Sequence, residues 1–132
     1  MDAGQDVIFL GDLNSEHAIG QLAGEMQQLI AGGEDAQPPE LVDLMTRAPA
    51  QDRHTHAILN RAFDRIVVSP SLMADDPDSC DWVFASIVVR PDLVISGAGN
   101  DGEAHWDGRL TMALSELDVS DHYPVVASFE LR

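Results

Sequence analysis

The feature that most constrains this chain is a strand pattern near its C-terminus that directly follows an acid and an imidazole. Between residues 125 and 131 every second side chain is apolar, which is the period of a half-buried β-strand. Pro124 fits the start of this strand, where its missing N–H costs no ladder hydrogen bond. Asp121 and His122 therefore lie on a loop at the mouth of a sheet, a common place for chemistry. With Ser120 they do not make a nucleophilic triad, because neighbours in sequence cannot align as triad members do, and their partners must come from elsewhere.

Length and composition fit one compact domain, residues 1–132, that can bury a core. The chain has 132 residues, of which 45% are hydrophobic, and no apolar run reaches the length of a membrane span. Its single cysteine, Cys80, excludes an internal disulfide framework.

The charge balance is strongly acidic, with one locally basic window. There are 23 acids against seven bases, all of them arginine, and the net charge is −16. Such a balance argues against general nucleic-acid binding and is typical of a bias for solubility or salt. Residues 47–65, however, hold four arginines and two aspartates, a net of +2 against −18 for the rest of the chain. This window suits an anionic ligand about as well as it suits an ordinary solvated loop.

Apolar runs predict most of the strands. They are short, β-branched or alternating, and bounded by glycine, proline or acidic loops. The predicted strands are a buried one at residues 6–10, then 63–69, 82–89, a candidate at 93–95, and the final strand.

Helical spacing predicts two helices and a shorter turn. The first begins at Ser15 as N-cap and ends at Gly32, with an apolar stripe of Ile19, Leu22, Met26, Leu29 and Ile30. A short second helix has Pro39 at its first position and turns Leu41, Leu44 and Met45 inward. Residues 110–117 fit one or two helical turns.

Three stretches have the same construction, a strand flanked by acids or an imidazole. They are Val7–Asn14, which contains Gly-Asp-Leu-Asn, Phe63–Ser69, which contains Asp-Arg-Ile-Val-Val, and Val119–Val125, which contains Ser-Asp-His-Tyr-Pro-Val. In this order they resemble the C-terminal signatures of the endonuclease/exonuclease/phosphatase family, and most closely its pancreatic-type deoxyribonuclease branch. Gly-Asp-x-Asn alone occurs by chance, whereas three motifs in order are a strong signal.

The resemblance implies a fold and a reaction. The fold is the C-terminal half of a four-layer α/β sandwich, with mostly antiparallel sheets and outer helices. The reaction is Mg²⁺- or Mn²⁺-dependent hydrolysis of a phosphodiester, with DNA as the first-choice substrate. Such hydrolysis needs an activated water, a counter-charge for the transition state and a hard cation with oxygen ligands.

The same resemblance assigns roles to residues of this sequence. His122 is the general base or electrostatic partner beside the phosphate, and Asp64 accepts a hydrogen bond from its imidazole. Asp12 orients the attacking water or helps to hold the metal, and Asp121 binds the metal. Asn14 donates a hydrogen bond to a phosphate oxygen.

The basic window adds two candidate substrate-binding residues, Arg61 and Arg65. Two alternatives remain to the nuclease assignment. One is a phosphatase or phospholipase-type phosphodiesterase of the same family, and the other is a non-catalytic interaction module with the same fold.

The sequence departs from the family pattern in three respects. Family members have an N-terminal half with a metal-binding Glu and further site residues, and this chain has no match to it. We therefore expect the chain by itself to be poorly active and to expose a sheet edge and an apolar face. The family often places a threonine shortly before the Asp-Arg-Ile strand, whereas Thr55 lies nine residues ahead of Asp64. The deoxyribonuclease branch tends to have cysteines in this region, and Cys80 has no partner.

Three further patterns are weaker. His54 and His56 have the spacing for a metal on a strand, but a solvated loop pair is favoured. Residues 75–81 have the carboxylate density of a structural Ca²⁺ loop without the glycine and glutamate of an EF-hand, which favours a solvated acidic turn. Residues 97–102 have dinucleotide-binding spacing, but no apolar helix follows, and we reject that assignment.

Overall fold

The computed structural model describes residues 6–18, 21–31, 41–96 and 108–132. These residues form a mixed α/β structure with antiparallel sheets and one α-helix. No helix in the described part of the chain is long and apolar enough to cross a membrane.

The first sheet has three antiparallel strands: β1 (Ile8–Asp12), β4 (Val42–Asp43) and β5 (Asp64–Val68), in the order β1-β5-β4. Strand β5 is central and is buried on both faces. Its register with β1 places Asp64 opposite Asp12. The β5 strand predicted at residues 63–69 is thereby confirmed.

The second sheet is a pair of long antiparallel strands, β6 (Trp82–Val89) and β7 (Val125–Leu131). Both were predicted, β6 from the apolar run at residues 82–89 and β7 from the alternation of apolar residues, and both are confirmed. The register shifts between Phe84 and Ser86, so one extra residue lies on β6 at that point.

The two sheets pack face to face through the apolar residues of β5. Ile66 and Val68 lie in one buried cluster with Leu44 and Leu72, and this cluster packs against apolar residues of β6 and β7. Val67, on the opposite face, packs with Ala23, Met26 and Leu41. Because side chains alternate along a strand, even-numbered residues of β5 face the β6–β7 pair and odd-numbered residues face the helix.

The first predicted helix is wrong at its N-terminal end. Two short antiparallel strands, β2 (Glu16–Ala18) and β3 (Gln21–Leu22), pair there instead, and helix α1 spans only Gly24–Ala31. Ser15 does not cap a helix, because its side chain is buried and its Oγ accepts a hydrogen bond from Arg65. Met26 is buried as predicted, whereas Leu29 is largely exposed. Ile19 and Gly32 lie outside the described residues.

The second predicted helix is replaced by strand β4 and a 3₁₀ helix at Leu44–Arg47. Asp43 ends the strand and caps this helix by accepting a hydrogen bond from the backbone N–H of Met45. The inward positions Leu41, Leu44 and Met45 are all buried, as predicted. Pro39 lies outside the described residues.

Two other predicted elements differ from the structure. The candidate strand at residues 93–95 is absent, because a 3₁₀ helix at Pro91–Leu93 ends within that segment. The helical segment at 110–117 is reduced to a 3₁₀ helix at Arg109–Thr111, followed by a turn.

Strand β1 lies at the edge of its sheet and is exposed, although the apolar run had predicted a buried strand. Ile8, Phe9 and Leu10 are each exposed by 47–65%. An exposed sheet edge with an apolar face was itself expected from the resemblance, and the described residues have both features.

A buried ion pair joins strands β4 and β5 of the first sheet, and a hydrogen bond from it reaches the β1–β2 loop. The guanidinium of Arg65 donates to Asp43 through Nη1 and to the Ser15 hydroxyl through Nε, and both charged side chains are almost completely buried. A buried charge is tolerated only when it is paired and hydrogen-bonded, so each partner depends on the other.

We predict that Arg65→Met destabilises the fold, because it leaves the Asp43 carboxylate buried without a cation. Removing one partner of a buried pair costs about 3–5 kcal/mol, measurable as a lower urea midpoint. The matched control is Arg90→Met, which removes an exposed pair with Asp92 and should leave the midpoint unchanged. Equal midpoints for both variants would contradict this account of the core.

Candidate active site

The candidate site forms where the start of β5, the end of β1 and the loop before β7 come together. Asp64 is even-numbered on β5, so its side chain faces the β6–β7 pair. The loop that leads into β7 carries His122 to that same side. The carboxylate Oδ2 of Asp64 lies 2.8 Å from Nδ1 of His122, a hydrogen bond between residues 58 positions apart. The pairing expected between these two side chains is present.

Backbone hydrogen bonds hold the two loops of the site against each other. His56 and His122 form an isolated antiparallel bridge. Around it, the N–H of Ala57 donates to the carbonyl of Asp121 over 2.8 Å, and that of Tyr123 donates to the carbonyl of Thr55 over 2.7 Å. The position of His122 is therefore fixed by backbone structure and not by side-chain packing alone.

Thr55 also orients the start of β5. Its hydroxyl accepts hydrogen bonds from the backbone N–H groups of Phe63 and Asp64, each over 3.0 Å, and the residue is fully buried. The position of Thr55 relative to the Asp-Arg-Ile strand had put a phosphate contact in doubt, and its burial is consistent with that. Its side chain positions Asp64 and does not face solvent.

Asp12 is the last residue of strand β1, and Asn14 lies two residues beyond it. The Asp12 carboxylate accepts a hydrogen bond from the backbone N–H of Asn14 over 3.0 Å. Asn14 has a positive φ of 45°, a conformation that asparagine tolerates better than most residues. Asp12, Asp64 and His122 bring ligand atoms within 4.8 Å of one another. Asn14 is exposed beside this group, and its phosphate contact stays a prediction.

Asp121 belongs to a second group, with His56 and His122, whose ligand atoms also lie within 4.8 Å of one another. Its carboxylate is about half exposed, and Oδ2 lies 3.8 Å from Nε2 of His56. The two groups share His122, so the carboxylates of three predicted residues, Asp12, Asp64 and Asp121, surround the His122 imidazole.

The two imidazoles of the site have pKa values that shift in opposite directions. Burial alone lowers the pKa of His122, but the hydrogen bond to Asp64 and the nearby carboxylates outweigh it, so this pKa lies above the ordinary value of 6.5. For His56, burial comes first and the neighbouring His122 adds to it. These effects exceed the attraction of the carboxylates and lower the pKa of His56.

Arg65 does not suit the predicted substrate-binding role. It is odd-numbered on β5, and its guanidinium lies on the face opposite Asp64, buried against Asp43 and Ser15. Arg61 is partly exposed, and its carbonyl accepts a hydrogen bond from Thr55. A substrate contact by Arg61 stays a prediction.

His56 is the site residue that sequence reasoning missed. A solvated histidine pair was favoured at His54 and His56, but the side chain of His56 is only 11% exposed, and its ring packs 5.0 Å from that of His122. His54 instead packs edge-on against Tyr123. No local sequence pattern distinguishes the two histidines, because the burial of His56 depends on its bridge to His122.

The hydrogen bonds of the acidic loop at residues 75–81 favour a self-capped turn over a Ca²⁺ site. Asp76 accepts a hydrogen bond from the N–H of Asp78, and its own N–H donates to Asp81. Among the described residues, the clusters with metal-ligand spacing do not include this loop. Cys80, on the same loop, is exposed and unpaired, as expected from the lone cysteine.

Comparison with known protein families, with curated proteins and with solved structures gave no match for this chain. The candidate site therefore rests on the sequence motifs and on the geometry described above.

The donor set of the site fits a hard divalent cation only in part. Asp12 and Asp121 offer exposed carboxylate oxygens, the ligands that Mg²⁺ prefers. One oxygen of Asp64 is already used by His122. Each of the two groups around His122 thus contributes one such carboxylate, and a Mg²⁺ ion held by one or two carboxylates keeps water and phosphate as its other ligands.

We predict that His122 titrates above and His56 below an ordinary histidine in metal-free buffer, as followed by NMR. Asp64→Asn should lower the pKa of His122, because it removes the carboxylate that stabilises the imidazolium. The stability that this pair contributes is present below about pH 6.5 and is lost as the pH rises through the higher folded pKa.

The stability difference between wild type and Asp64→Asn should therefore be larger at about pH 5.5 than at about pH 8.5. Asp92→Asn, an exposed acid outside the site, is the control and should leave the pKa of His122 unchanged. A His122 pKa that does not respond to Asp64→Asn would show that the hydrogen bond has no electrostatic role.

Proposed function

We propose that this chain takes part in metal-dependent hydrolysis of phosphodiester bonds, as a deoxyribonuclease-like endonuclease. One observation carries the proposal. Asp12, Asp64 and His122 come from three motifs far apart in sequence, yet their side chains form one cluster, with a hydrogen bond between Asp64 and His122. The proposal brings with it the four-layer sandwich that the resemblance implies, of which the described residues account for one helix and two packed sheets.

In this proposal His122 accepts the proton of the attacking water. Its Nδ1–H is donated to Asp64, which leaves the Nε2 lone pair free to act as base. The Asp64 carboxylate then stabilises the imidazolium that forms. A base of this kind contributes about 10²–10⁴-fold to a hydrolysis rate.

Asp12 and Asp121 hold Mg²⁺ or Mn²⁺ in this proposal. When bound there, such a cation would supply Lewis-acid polarisation of a phosphate oxygen and a counter-charge for the transition state. It also offsets the local excess of carboxylates, which would otherwise repel a phosphodiester.

The arginines of the basic window bear on the choice of substrate. Of the four arginines in the basic window, Arg65 is buried, and Arg53 donates to the backbone carbonyls of Ala48 and Thr46. Only Arg47 and Arg61 are left to contact a phosphate backbone. This observation favours, as second candidate, a small or lipid phosphoester over long duplex DNA, since duplex affinity depends on several phosphate contacts.

The test is plasmid nicking with Mg²⁺ or Mn²⁺, and with EDTA as the metal-free reference. It is made on this chain and on the chain extended to the earliest in-frame start of its gene, since the resemblance implies further site residues. We expect metal-dependent nicking that falls about 10²–10⁴-fold in His122→Ala. Asp92→Asn, which removes an exposed carboxylate paired with Arg90, should nick as the wild type does.

The other outcomes separate the alternatives. Hydrolysis of bis(p-nitrophenyl) phosphate or a phosphomonoester without nicking would move the assignment to a phosphatase or a lipid phosphodiesterase. A folded protein with no activity on any of these substrates would contradict the proposal and favour a non-catalytic interaction module.

A further inference from the structure

We propose that His56 is a phosphate-binding residue of this site, a neutral imidazole that donates its Nε2–H to a non-bridging phosphate oxygen. The inference rests on the proposed function for its ligand, a phosphoester. Its evidence is separate from the motifs, since His56 lies outside all three of them.

The first step is the tautomer of His56. Its Nδ1 accepts hydrogen bonds from two backbone N–H groups, those of Ile58 over 3.1 Å and Leu59 over 3.2 Å. A ring nitrogen that accepts from N–H groups has no proton of its own. A neutral imidazole has one proton, which must therefore be on Nε2.

The second step is the direction of that proton. Nε2 of His56 lies 3.8 Å from the Asp121 carboxylate, beyond hydrogen-bond distance, and its ring packs edge-on against His122 and Phe63. The ring is therefore held in place by two aromatic neighbours and two backbone bonds. Its Nε2 lies beside the Asp121 carboxylate, in the group that His56 forms with Asp121 and His122, and this is where we place the phosphate.

The third step excludes the competing role of a metal ligand. Binding a cation through Nε2 requires the tautomer with the proton on Nδ1. That proton would face the N–H groups of Ile58 and Leu59, three donors without an acceptor. The Nε2 of His56 is therefore a hydrogen-bond donor, although the distances to Asp121 and His122 would allow a metal.

The two histidines then have opposite tautomers and complementary roles. His122 has its proton on Nδ1, facing Asp64, and a free acceptor at Nε2 for a water proton. His56 has its acceptor on Nδ1, facing the backbone, and a free donor at Nε2 for the phosphate. Such a donor stabilises negative charge on the phosphate without adding a cation to the site.

The direct test is long-range ¹H–¹⁵N NMR of the histidine rings of this chain, recorded at a pH above the observed titration of His122, so that both imidazoles are neutral. We expect the proton on Nε2 in His56 and on Nδ1 in His122. A proton on Nδ1 of His56 would overturn the inference, whether or not the chain hydrolyses any substrate.

The functional test uses His56→Asn, in which the amide oxygen replaces Nδ1 as acceptor for the two backbone N–H groups but no donor reaches the Nε2 position. We expect an unchanged urea midpoint and Mn²⁺ affinity, and inorganic phosphate binding in the presence of Mg²⁺ weakened about tenfold or more. His56→Ala, which also removes the acceptor, should lower the midpoint as well.

Two results would contradict the role. One is His56→Asn binding phosphate as tightly as wild type, and the other is His56→Asn losing Mn²⁺ affinity about tenfold, as a ligand would. Loss of phosphate binding in His56→Asn without nicking or hydrolysis by wild type would instead leave the donor role intact and refute the proposed reaction.

Discussion

The arrangement of the site depends on a backbone bridge between two loops, each of which leads into a strand of a different sheet. His56 precedes β5 and His122 precedes β7, and the hydrogen bonds on both sides of their bridge fix the distance between the two strand entrances. The packing of Ile66 and Val68 against β6 and β7 continues the same contact into the core. With both ends fixed, the Asp64 carboxylate and the His122 imidazole meet at hydrogen-bond distance without either chain segment having to order on binding.

Buried carboxylates in the sheet core and carboxylates at the candidate site differ in how their negative charge is balanced. Inside the sheet, Arg65 and Asp43 neutralise each other in a buried pair. At the site, carboxylates from three segments surround one histidine and raise its pKa. This excess of negative charge has no cation among the described side chains of the cluster, which is the physical reason for proposing a divalent metal there. The few accessible arginines nearby limit how much of a polyanion the surface can bind.

Strand periodicity was a good guide to this fold, and helical periodicity was not. Strands β5, β6 and β7 follow from β-branched or alternating runs whose side chains pack as the pattern requires. The apolar spacing after Ser15 is helical. Ser15, however, is buried and accepts a hydrogen bond from Arg65, 50 residues away, and strands β2 and β3 pair before the helix begins. A local pattern does not contain that long-range contact.

The site was predictable to a similar degree. The motifs predicted Asp12, Asp64 and His122 as site residues, and the structure brings their side chains into one cluster. Arg65 was misassigned because charge alone does not show which face of β5 a residue occupies. The alternation along β5 places it opposite Asp64 once the core face is known. His56 was undervalued because its burial depends on the bridge to His122, which no single stretch of sequence indicates.

The most direct measurement of the central claim is a crystal structure of the protein grown with Mn²⁺ and inorganic phosphate, with anomalous diffraction data at the manganese edge. The account predicts an anomalous peak within coordination distance of the Asp12 or Asp121 carboxylate, and a phosphate bound between this metal and the imidazoles of His122 and His56. Manganese found only at the acidic loop of residues 75–81, with the cluster around His122 free of both ions, would contradict it.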